Sequence, residues 1–238
     1  MKKTVARWGS IVTVGILLAG CQASHEEKEE AGSGASAKEQ AVEQHLHENA
    51  QHSHSHEEEA KRIHGGYFED SQVQDRSLSD WEGDWQSVYL HLLEGTLDEV
   101  FAHKAEHDGD MTAQQYKDYY EVGYKTETER IVIQGNRITF FKNGEEYGGD
   151  YRYDGYEILT YEAGNRGVRY IFKLEEPAEG LPLYIQFSDH GISPTDAGHY
   201  HLYSGEDREA LLEEVTNWPT YYPSDMTGHA IAHEMMAH

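Results

Sequence analysis

Residues 130–174 read "RIVIQGNRITFFKNGEEYGGDYRYDGYEILTYEAGNRGVRYIFKL". No other stretch limits the fold as strongly. It is rich in β-branched and aromatic residues and is cut by "QGN", "NGE", "DGY" and "AGNRG", which are hairpin chemistries. "LPLYIQFSDH" and "GHYHLYSG" follow as two further strands. About six short strands joined by tight turns predict an antiparallel meander that curls into a barrel. The chain is therefore mainly β, with helices flanking the sheet.

The helices are expected on either side of this block. "SLSDWEGDWQSVYLHLLEG" has caps at Ser79 and Asp80. Trp81, Trp85, Val88, Tyr89 and Leu92 then follow at helical spacing, and Gly95 is a stop. "TLDEVFAHKAEHDG" and "TAQQYKDYYEVGY" read as two more helices. Leu97, Val100 and Phe101 form the apolar face of the first, and Tyr116, Tyr119 and Tyr120 belong to the second. "EDREALLEEVTNW" reads as a helix with Leu211, Leu212 and Val215 on one side, and "TGHAIAHEMMAH" as a short terminal helix.

The N-terminus has a different character. Lys2, Lys3 and Arg7 precede an apolar run from Ile11 to Leu18, the layout of a secretory signal and too short for a spanning helix. The run ends in Leu18-Ala19-Gly20-Cys21, which is similar to a bacterial lipoprotein cleavage site. Residues 1–20 are thus expected to be removed and Cys21 to carry lipid, anchoring the protein to a membrane. Cys21 is the only cysteine. Once lipidated it leaves no thiol for catalysis, metal binding or a disulfide.

Residues 21–64 read as an acidic tether with almost no large apolar residue, unable to offset the entropy of ordering. A coil of this length reaches roughly 40 Å. Inside it lies "HLHENAQHSHSHEEE", with His45, His47, His52, His54 and His56, followed by His64. A histidine-rich tract with nearby carboxylates suits loose capture of divalent metal. The working domain is then 65–238. With 44 acidic and 19 basic residues the formal charge is −25, which repels nucleic acid and attracts cations.

Three histidines of the chain's sixteen fall in "SDHGISPTDAGHYH": His190, His199 and His201. Alternate residues of a strand share a face about 6.6 Å apart. His199, His201 and Tyr203 therefore share one side, and Tyr200 and Leu202 the other. An antiparallel return brings His190 opposite or diagonal to the pair, within reach of one ion. The shared face is either the barrel interior or its rim. Zinc takes about four tetrahedral ligands at roughly 2.0–2.1 Å, so three histidines leave one position open. Imidazole also suits copper, nickel and cobalt. Asp189 is adjacent in sequence but points to the opposite face. His229 and His233 are four apart on the terminal helix and His238 follows, a weaker set that lacks the glutamate placement of H-E-x-x-H. His91, His103 and His107 read as surface or packing residues.

"LSDWEGDWQSVY", "YDGYEILTY", "GVRYIF", "YIQFSDH", "HYHLYSG", "NWPTYYP" and "EMMAH" together resemble the ZinT (YodA) family of bacterial extracytoplasmic zinc- and cadmium-binding proteins. The resemblance runs from about His64 to His238. It implies a calycin-like, lipocalin-type barrel and a buried zinc site at His190, His199 and His201. It also implies a variable fourth ligand: water, a carboxylate, or a histidine from a flexible tract. The implied role is zinc homeostasis, with zinc (or cadmium) handed to the solute-binding component of a zinc ABC importer. Periplasmic members carry a cysteine pair in the barrel. Gly149 and Leu174 stand at the matching positions here, so that bridge is absent. The lipobox points to a membrane-tethered form, as on a Gram-positive surface. Two other functions fit the same residues: a zinc-dependent hydrolase using the open position, and a lipocalin-like carrier of a small apolar ligand.

Overall fold

The computed structural model describes residues 58–213 and 216–237. The signal peptide, Cys21 and the tail histidines His45, His47, His52, His54 and His56 lie outside the described residues, as does His238. Eight antiparallel strands close into a barrel in sequence order: β1 Gly83–Ser87, β2 Thr128–Gln134, β3 Arg137–Lys142, β4 Glu145–Thr160, β5 Arg166–Leu174, β6 Tyr184–Ser188, β7 Tyr200–Gly205 and β8 Thr220–Pro223. β8 pairs with β1 through Gln86 and Tyr222 and so leaves no open edge. Among the described residues five α-helices accompany the barrel. The described part of α1 covers 58–64; α2 is Val88–Leu93, α3 Asp98–His107, α4 Ala113–Tyr124 and α5 Gly228–Ala237. Among the described residues no helix is long and apolar enough to cross a membrane.

The turn chemistry explains the meander. Asn143 (φ 53°) and Gly144 (φ 81°) form a two-residue turn between β3 and β4, the left-handed pair that matches strand twist. "QGN" closes β2 onto β3 with another two-residue turn, in which Gly135 (φ 58°) alone is left-handed. "DGY" does not turn: Gly155 (φ 94°) lies where the β4–β5 register shifts, between Tyr153 and Tyr156. It is a bulge inside one long strand, which bends β4 around the barrel.

Two helical expectations fail. Residues 78–95 are not one helix. Leu78–Trp81 is a 3-10 turn, "GDWQS" is strand β1, and only Val88–Leu93 is α-helical. Trp85 points into the core from a strand and donates its indole N–H to the Trp81 carbonyl at 2.9 Å. The i, i+4 tryptophan spacing has a different cause from helical packing. Among the described residues of "EDREALLEEVTNW" the helical part is the 3-10 turn Ala210–Leu212, with Leu211 and Leu212 half-buried, and Val215 lies outside the described residues.

The side chains sort into two cores. Ile131, Ile133, Phe140, Tyr151, Tyr170, Phe172, Ile185, Phe187, Tyr200 and Leu202, with Trp81 and Trp85, fill the barrel interior. Val88, Leu92, Phe101, Tyr124, Ile231 and Met235 form a second core with the helices, which Tyr222 joins from β8. Tyr221 belongs to the first core and Tyr222 to the second, so this helical layer lies on the outer face of the wall. At the position of the absent bridge, a Cβ on Gly149 would sit 2.6 Å from a Leu174 methyl. The leucine fills that space.

Candidate metal centre

β6 and β7 pair with Ser188 opposite His201. Continuing the same register past the strand end sets His190 across from His199. Tyr200 and Leu202 belong to the barrel core, so His199 and His201, which alternate with them, face outward. The shared face is thus not the interior but the outer wall, at the end of the barrel where β6 stops and β7 begins. The interior is already occupied by aromatic rings, while the outer pleat is free to carry polar groups.

The three rings make a near-equilateral set. Centroids are 5.8 Å apart for His190–His199, 5.8 Å for His190–His201 and 6.1 Å for His199–His201. One ligand nitrogen from each lies within 4.8 Å of the others, a spacing that no other three or more His, Cys, Asp or Glu side chains match among the described residues. Tetrahedral zinc needs nitrogens about 3.3 Å apart, so small ring rotations close the set onto one ion.

Each ring is oriented by a neighbour. The Thr220 hydroxyl donates to the Trp218 carbonyl at 3.0 Å, so at its 2.7 Å contact with His201 Nδ1 it accepts. Nδ1 of His201 therefore carries the proton, and Nε2 keeps its lone pair for a metal. His199 stacks on Tyr222, with centroids 5.0 Å apart and planes 15° apart, and its Nδ1 lies 3.9 Å from the Glu234 carboxylate on α5. His190 stacks on His64 at 4.4 Å. His64, assigned to the tether by sequence, is the last residue of the α1 turn and packs at the site. Glu234 is the other neighbour that sequence reasoning missed. The "EMMAH" block gave no signal for it beyond its place in the resemblance.

His190 is held by a third group of residues. Its backbone is left-handed (φ 64°), which a histidine rarely adopts unaided. The loop around it is fastened by Arg76, whose side chain is fully buried. Arg76 donates to Asp189 at 2.6 Å, Asp80 at 2.8 Å and the Thr195 carbonyl at 2.7 Å, and lies 4.1 Å over the Trp81 ring. Asp189 also accepts from the Gly191 N–H, and Asp80 from the Thr195 N–H. Burial lowers the Arg76 pKa, but Asp189 and Asp80 together raise it above its ordinary value. Asp80 and Trp81 come from "LSDW", so that block serves the histidine loop from across the barrel. Asp189 points away from the three rings, as alternation predicts.

His201 is held neutral. Burial lowers its pKa well below the ordinary histidine value, helped by His190, His199 and Arg169. A depressed folded pKa stabilises the fold above the unfolded value, near 6.5, and that contribution is lost as pH falls. Below about 6.5 the unfolded chain takes up a proton that folded His201 refuses. The metal-free protein is therefore expected to lose stability from pH 6.5 towards 5, and His201→Gln to flatten part of that loss. Urea midpoints at several pH values measure it; parallel profiles would refute the assignment.

Among the described residues, the histidines of the helices α2, α3 and α5 stay apart from this cluster. Exposed His229 meets Glu99 at 3.1 Å, and His233 is exposed on α5. His91 contacts Gln86 at 3.0 Å, and the His103 and His107 rings are 4.2 Å apart on α3.

Comparison with known proteins agrees with this architecture. Residues 59–238 match the family described as ZinT (YodA) periplasmic lipocalin-like zinc-recruitment. The chain is 62% identical to "Probable metal-binding protein YrpE" of Bacillus subtilis, over 96% of each chain. It is 52% identical to zinc-binding protein AdcA of Streptococcus pyogenes, over 75% of this chain but only 35% of AdcA. The fold matches the crystal structure of the Zn(II)-bound ZinT-like domain of Streptococcus pneumoniae AdcA with a TM-score of 0.71 and 47% identity, covering 73% of this chain and 97% of that domain. Zn(II)-bound AdcA from the same organism gives 0.72 and 48%, over 74% of this chain and 38% of AdcA. With a matching family model over most of its length and a barrel shared with those solved structures, this chain belongs to the ZinT (YodA) family.

Proposed function

We propose that this chain is an extracytoplasmic zinc-binding lipoprotein, anchored through Cys21, that holds one zinc ion at His190, His199 and His201. The convergence of three imidazoles within 4.8 Å carries the reading. The donor set fits the ion: His201 is neutral, its Nε2 is free, and the outer wall opens to a cavity. Zinc is cargo here, and cadmium suits the same imidazoles. The histidines of the tail, His45, His47, His52, His54 and His56, gather ions loosely. His64, stacked on His190, is the residue of the proposed tether that stands at the site.

Delivery to the solute-binding component of a zinc ABC importer completes the proposal. AdcA, named a zinc-binding lipoprotein in Streptococcus pneumoniae, contains a domain of this kind within a chain about three times longer. A separate anchored protein fits the same task by transfer between chains. Binding rather than turnover is favoured because Asp189, the carboxylate adjacent in sequence to His190, is committed to Arg76. The test mixes zinc-loaded protein with a zinc-free importer component. Transfer faster than spontaneous release into a chelator is expected; equal rates would reject delivery.

A further inference from the structure

The outer wall beside the histidines holds a buried cation that no described carboxylate pairs with. Arg169 on β5 is only 2% exposed, yet its Nε and one terminal nitrogen have no hydrogen-bond partner. Val168 and Tyr170 on either side belong to the barrel core, so Arg169 points outward, as His201 does. The β5–β6 register continued from Tyr170–Phe187 sets Arg169 beside Ser188, and Ser188 pairs with His201. Arg169, Ser188 and His201 thus form one row across three strands. All three line a cavity of about 360 Å³ together with His190 and Tyr203.

The guanidinium lies flat over the Tyr203 ring, 3.1 Å from its centroid. That contact explains how a cation tolerates this burial, but it uses the face of the group and leaves its edge unused. Glu157, its cross-strand neighbour on β4, is bonded to Arg208 instead. In a chain of charge −25 a buried arginine without a carboxylate is unexpected. A planar fork of N–H donors beside a three-histidine centre matches a bidentate oxyanion, and a carboxylate above all.

We propose that Arg169 forms an anion subsite of the metal centre. It takes one oxygen of a small carboxylate whose other oxygen fills the position left open by His190, His199 and His201. Zinc then arrives and leaves with a carboxylate-bearing small ligand. The inference rests on the proposed three-histidine assignment. No bond is made or broken beyond coordination, and the carboxylate's charge offsets that of the guanidinium and the metal.

The test uses the full chain saturated with cobalt(II), whose visible spectrum reports its ligands, titrated with acetate at constant ionic strength. A saturable spectral change is expected. Arg169→Met should weaken its midpoint by about tenfold or more, and Arg169→Lys should restore it only in part, because a point charge lacks the fork. Ser188→Asp places a carboxylate in the row beside Arg169 and should abolish the acetate response. It also keeps the test decisive if Arg169→Met fails to fold. An acetate response unchanged in the folded variants, or absent from the natural chain, overturns the subsite. A spectrum at one equivalent of cobalt(II) that is unchanged in His199→Ala/His201→Ala overturns the three-histidine assignment itself, a distinct outcome from the weak binding that the tail retains.

Discussion

Replacing His199 and His201 together by alanine is expected to abolish tight zinc binding and leave only weak, multiple binding by the histidine-rich tail. Removing a single partner that orients a ligand costs about 10–100-fold in metal affinity. Loss of two of three ligands should therefore exceed about 10³-fold. Calorimetry on the full chain separates the classes, because the tight site saturates first at one ion per chain. Lowering the pH should weaken the tight site in the natural protein, since bound imidazole must be unprotonated. An unchanged tight stoichiometry in the double variant would move the site elsewhere.

Arg76→Met is expected to produce the largest loss of stability among single changes near the site. It leaves Asp80 and Asp189, with side chains 10% and 3% exposed, facing each other without their cation. Breaking a buried ion cluster in this way costs about 3–5 kcal/mol. The loop carrying His190 also loses its anchor, so zinc affinity should fall along with stability. Arg76→Lys should rescue little, because one ammonium cannot reach two carboxylates and the Thr195 carbonyl in the directions the guanidinium serves. Urea unfolding reads the first effect and zinc titration the second. A stability loss under about 1 kcal/mol would show that the cluster behaves as an exposed ion pair.

The parts of this protein that sequence revealed are those set by local rules. Asn143-Gly144 specifies a two-residue hairpin turn, and the H-x-H spacing of His199 and His201 specifies a shared strand face. The return of His190 follows from the loop 189–199, which is long enough to join β6 to β7 as antiparallel neighbours. What escaped depends on long-range closure. "GDWQS" is a strand because the barrel needs a partner between β2 and β8, and nothing within five residues can state that. The tryptophans beside it mimic a helical stripe. "TYYP" hides likewise, just beyond a segment read as helical. The residues around the histidines come from far along the chain: Asp80 from "LSDW", Glu234 from the last helix, and Arg169 from a strand that reads only as apolar. Their roles exist once the strands are laid side by side, and only the family resemblance placed those blocks in one protein.

Because the pleat carrying His199 and His201 faces away from the aromatic filling of the barrel, shortening those side chains opens no hole among the packed rings. Metal chemistry is therefore separated from the packing of the barrel interior at His199 and His201, and coupled to it at His190 through Arg76. A lineage of such barrels can exchange donors at these two positions and so retune which ion it favours, while the aromatic filling of the barrel is left as it is.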